Sequence, residues 1–120
     1  MAFPSRIMGA GNSPLSAESI CGTGAVGLVA LGSTAADALQ LNVSNNTITT
    51  SAASTGVKLP PTESGARMTI RNDSGQTITV YPFNTSSTIN AAATSVTLAT
   101  AKTMLLVGMS ATTWATLTGA

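Results

Sequence analysis

The chain has 120 residues, 8% charged residues and a net charge of +1. That length suits one domain. Lys58, Arg67, Arg71 and Lys102 stand isolated, which excludes phosphate-backbone recognition by clustered cations. The absence of histidine removes the usual general base and the commonest metal ligand.

The apolar content is 43%, yet aromatics make up only 3%. The core must therefore come from Ala, Val, Leu, Ile and five Met. Disordered chains are charged and poor in aliphatics, so this chain folds. Its charge is far below the usual ~25%. Interfaces lose charge at their centres, and the composition points to a packed assembly. Cys21 is the single cysteine and forms no intrachain disulfide; it reads as a small buried hydrophobe. No apolar secretory core is visible near the N-terminus, and the run 25–31 is too short to span a bilayer. We expect synthesis in a reducing cytosol and no membrane contact.

Residues 1–24 are punctuated by Pro4, Gly9, Gly11, Pro14, Gly22 and Gly24. Phe3, Ile7, Met8, Leu15 and Ile20 are apolar without a clean period, as in an arm that orders on a partner. Residues 25–120 read as the folded domain.

Residues 38–43 alternate as a half-buried strand does. Ser44-Asn45-Asn46 reads as a turn, and residues 47–50 as a strand. Gly56-Val57-Lys58-Leu59 is a strand halted by Pro60-Pro61. Residues 33–39 read as the start of a short helix, against the downstream alternation. Two alternating runs, 67–72 and 76–81, flank Asn72-Asp73-Ser74-Gly75 and predict a β-hairpin. Met68 and Ile70 then share a face with Ile78 and Val80. After a loop at Asn84-Thr85-Ser86-Ser87, residues 95–99 form a strand. Residues 103–109, including Leu105 and Val107, form a continuous apolar strand covered on both faces. Residues 113–117, with Trp114 as a core anchor, end the chain. Turn signals about every ten residues predict an all-β fold: a compact antiparallel sandwich or barrel, jelly-roll-like, with an extended N-terminal arm. No repeat of solenoid length is found.

Catalytic patterns are weak. Glu18, Asp37, Glu63 and Asp73 are scattered, whereas a glycosidase needs a facing pair. Gly22-Thr23-Gly24-Ala25-Val26-Gly27 matches a dinucleotide fingerprint, but no strand precedes it and Asp37 comes too early; a hinge is the better reading. Ser54 to Lys58 has one residue too many for an SxxK pair. The Asn-x-Ser/Thr sites carry no consequence without secretion. Tyr81, Phe83 and Trp114 are candidates for a sugar platform, though core or interface packing suits so few aromatics better. We expect a non-enzymatic protein with no cofactor and no bound metal.

Thr55-Gly56-Val57-Lys58-Leu59-Pro60, the run Arg71 to Pro82, Thr88-Ile89-Asn90, the 96–98 strand and Ser110 to Trp114 resemble a module of small bacteriophage virion proteins of the capsid decoration (cement or head-spike) type. Ser5-Arg6 and Ser19-Ile20-Cys21-Gly22 are similar to the start of such proteins. The resemblance covers most of the chain, and its motifs are structural. It implies a homotrimer on the outer capsid surface of a virion. Its partners would be the major capsid protein and copies of itself. Phe3, Arg6, Ile7, Met8, Leu15 and Ile20 would contact the capsid. Met68, Ile70, Ile78, Val80, Leu105, Val107 and Trp114 would pack the core or the trimer. The competing readings are a tail fibre or host-attachment module using loop 84–87, a depolymerase, and a head-completion or connector protein.

Overall fold

The computed structural model describes residue 11, residues 22–91 and residues 93–119. Among them are ten strands and no helix. In chain order these are β1 (Gly24–Val29), β2 (Leu39–Gln40), β3 (Asn45–Thr50), β4 (Gly56–Lys58) and β5 (Arg67–Asn72). There follow β6 (Ile78–Tyr81), β7 (Thr88–Ile89), β8 (Val96–Leu98), β9 (Lys102–Gly108) and β10 (Thr113–Gly119). No helix of the described residues is long and apolar enough to cross a membrane.

The strands form a β-solenoid of about four turns. One sheet has the order β1-β3-β5-β9-β10-β7 and the other β2-β4-β6-β8. In the first three turns the chain lays one strand in the first sheet, then one in the second. Consequently β1, β3 and β5 stack in parallel, as do β2, β4 and β6. The sense then reverses: β8 pairs antiparallel to β6, and β9 to β5. β10 returns antiparallel beside β9, and β7 lies parallel to β10 at the edge.

This architecture overturns the expected antiparallel sandwich or barrel. It also overturns the expectation that no solenoid repeat exists. Stacked positions lie 18 residues apart at Gln40 and Lys58 but 24 apart at Asn45 and Thr69. A period that varies this much leaves no fixed self-similarity to detect.

The predicted hairpin at Asn72-Asp73-Ser74-Gly75 is a corner instead. Both of its strands exist, but β5 lies in the first sheet and β6 in the second. The physical cause is Asn72, whose side chain is fully buried. Its Nδ2 donates to Gln76 O at 2.7 Å and to Leu98 O at 2.9 Å, and its Oδ1 accepts from Ser74 N and Ser74 Oγ. With every polar atom satisfied inside, the chain bends across the core rather than back on itself.

Smaller expectations also shift. Residues 33–38 form bends and a turn, not a helix, and the 38–43 strand shrinks to Leu39–Gln40. The turn before β3 ends at Ser44, so Asn45 and Asn46 already belong to the strand. The 22–27 glycine run is mostly strand β1, not a hinge. Gly27 has φ +72° and breaks the β1–β3 register, a local irregularity that glycine accommodates without steric cost.

Between the two sheets lies one core. Ile48, Met68, Ile70, Met104, Leu106 and Trp114 enter from the first sheet; Val57, Ile78, Val80 and Leu98 enter from the second. Each such side chain contributes about 1.5–3 kcal/mol on burial. Strand alternation then sends the intervening residues outward.

Candidate binding surfaces

Met68, Ile70, Ile78, Val80 and Trp114 are all buried, the first two facing the next two across the core. Leu105 and Val107 differ. The strand β9 alternates, with Met104, Leu106 and Gly108 buried and Thr103, Leu105 and Val107 half-buried, so it is not covered on both faces. Leu105 is the register partner of Leu117, and Val107 of Ala115. Leu117 is 71% exposed. These four side chains form an apolar strip on the outer face of the first sheet. Thr69 and Arg67 flank it on β5, opposite Leu105 and Val107 respectively. Sequence reasoning missed Leu117, although the alternation outward from buried Trp114 was the signal for it.

A second surface is the edge strand β1. Its six residues carry no charge, and Val26 is 80% exposed. The other sheet edges, β2, β7 and β8, are two or three residues long. Short strands, charges and bulges are the usual protection of a sheet edge; β1 has neither of the first two, only the irregularity around Gly27. The candidate arm residues Phe3, Arg6, Ile7, Met8, Leu15 and Ile20, like Cys21 and Glu18, lie outside the described residues.

A third surface is a cleft of about 280 Å3 beside the end of β6, lined by Tyr81, Pro82, Asn84, Thr85, Ser87 and Ser95 among others. Of the three aromatics singled out for a sugar platform, only Tyr81 lines it. Trp114 is in the core and Phe83 is exposed elsewhere on the loop. Tyr81 Oη donates to Ser33 O at 3.2 Å. The loop is held by Asn84, whose Oδ1 accepts from Ser86 N at 2.9 Å and Ser87 Oγ at 3.1 Å.

Two of the four carboxylates, Asp37 and Asp73, have local structural work. Asp37 Oδ1 accepts from Thr34 Oγ1, Thr34 N and Ser33 N. The Thr34 hydroxyl, then the backbone bonds, hold its pKa below the ordinary 3.8 against a smaller desolvation effect. Asp73 pairs with Arg71 Nε at 2.8 Å. Among the described residues no group of three His, Cys, Asp or Glu side chains is placed to hold a metal ion.

The motifs quoted for the resemblance have structural roles here. Val57 and Leu59 of the GVKLP run are core residues. In the Ile89-Asn90 pair, Ile89 is buried, while Asn90 donates from Nδ2 to Thr116 Oγ1 and accepts from Thr116 N. Asn90 thereby satisfies the β10 backbone just beyond the end of short β7. No protein-family model, curated protein or solved structure matches the chain.

Proposed function

We propose that this chain is a structural virion protein that decorates and stabilises a phage capsid by bridging coat subunits. The observation that carries the reading is the apolar strip of Leu105, Val107, Ala115 and Leu117 on a chain with so little charge. An exposed apolar patch on a sheet face is a contact surface in search of a partner. A second copy of the chain is the occupant we assign, and the virion-protein resemblance favours three copies around an axis. Cyclic symmetry repeats one weak contact and makes it cooperative.

The uncharged β1 edge suits the coat contact. An edge of this kind accepts an extended strand from another protein through main-chain hydrogen bonds. Each bridging subunit then stabilises the assembled shell by mass action. Residues 1–24 supply further apolar anchors in this scheme.

Mass spectrometry of purified particles tests the role. Copy numbers comparable to the major coat protein support decoration, and absence from particles overturns it. A few copies per particle favour the second reading, a tail fibre or host-attachment module, for which the cleft beside loop 84–87 is the supporting feature.

A further inference from the structure

We propose that the cleft beside β6 is a binding site for an uncharged carbohydrate. Its lining contains no Lys, Arg, Asp or Glu. A phosphate or carboxylate ligand would have no counter-charge there. The exposed lining is mainly apolar, and Asn84, Thr85, Ser87, Thr94 and Ser95 add residues with an amide and hydroxyls to it. A neutral sugar presents the complementary mixture: a C–H face for an aromatic ring, and hydroxyls that both donate and accept.

Tyr81 supplies the ring. It is half-buried, packed against the backbone of Gly56, and tethered through its hydroxyl to Ser33 O. The side chain is therefore oriented before any ligand arrives, which lowers the entropy cost of binding. Asn84 is oriented as well. Its Oδ1 is engaged by Ser86 N and Ser87 Oγ, so its Nδ2 remains as the donor available to a ligand hydroxyl. A volume of about 280 Å3 falls just below the ~300–1,000 Å3 of small-molecule sites. One or two rings of a longer glycan fit that size. The ligand class follows from the cleft alone, whatever particle carries the chain.

Tyr81 is the only tyrosine, so 3-fluorotyrosine labelling places a single 19F reporter in the cleft. The full chain is titrated with neutral hexose and N-acetylhexosamine oligosaccharides. Sialylated oligosaccharides and inorganic phosphate serve as charged probes. The expected result is a saturable shift of the one fluorine line with at least one neutral sugar. Ser95→Arg, at an exposed position in the lining, is expected to weaken that binding roughly tenfold or more, equivalent to about 1.4 kcal/mol. Thr94→Lys is the second blocking variant should the first fail to fold. No shift with any neutral sugar at millimolar concentration overturns the proposal. So does a shift with the charged probes alone, or undiminished binding in a folded blocking variant.

Discussion

Asn72 reaches across the core to Leu98, its Nδ2 donating to the Leu98 carbonyl at 2.9 Å. This bond ties the corner between β5 and β6 to β8, the first antiparallel strand of the reversed turn. It therefore joins the parallel turns to the strand that closes them. Asn72→Leu keeps the branched heavy-atom shape but leaves Gln76 O, Leu98 O and Ser74 N without their side-chain partner. Each unsatisfied buried group costs about 1–3 kcal/mol. We expect roughly 2–5 kcal/mol of destabilisation in urea unfolding. A loss under about 1 kcal/mol would show that water replaces the amide without penalty.

Gly108 sits on β9 opposite Trp114. A Cβ there would collide with the Glu63 carbonyl oxygen and the Thr62 hydroxyl. A backbone oxygen has no rotamer to escape into. Gly108→Ala is expected to cost about 1–3 kcal/mol or more by overpacking. Gly119→Ala, with open space around the new methyl, should stay within about 0.5 kcal/mol. Equal melting temperatures for the two variants would refute the close approach.

Trp114 is 2% exposed and is the only tryptophan. Its fluorescence should be blue-shifted and resistant to acrylamide until the whole domain unfolds. Trp114→Ala should destabilise by about 3–5 kcal/mol, as large core truncations do. A red-shifted, readily quenched emission would place the ring in water.

Asp37 links the 33–37 turn to pH. Its folded pKa is depressed by the Thr34 and Ser33 donors. A depressed carboxylate contributes stability that is fully present above its unfolded value near 3.8 and is lost as pH falls through the lower folded value. The turn should loosen only in that acid window, with no change between pH 5 and 8. Asp37→Asn should remove this part of the acid dependence. An identical acid-unfolding profile for the variant would count against the linkage.

Leu117 tests the outer strip. Leu117→Glu places a charge on an exposed position. If the strip is the proposed self-contact, it should leave the fold intact while shifting the parent's oligomer toward monomer, and a monomeric parent would refute that contact. Sedimentation equilibrium reads the mass directly. A variant that assembles as the parent does would move the self-contact to another face.

Several features of this protein were legible from residue order alone. The β class, the strands near 47–50, 56–58, 67–72, 78–81, 103–108 and 113–117, and the inward positions Met68, Ile70, Ile78 and Val80 all follow from period-two alternation, which each strand carries locally. Alternation names the buried face of a strand but not the strand beside it. Pairing was decided by tertiary structure. The Asn72 side chain turns an apparent hairpin into a corner, and stacked partners 18 to 24 residues apart replace adjacent ones. Whether Leu105 and Val107 face the core or the solvent was likewise beyond the local pattern, because an outward apolar residue looks the same in sequence as an inward one. Only the register that sets Leu105 beside exposed Leu117 puts them on the outer face, where the energetics of burial await a partner.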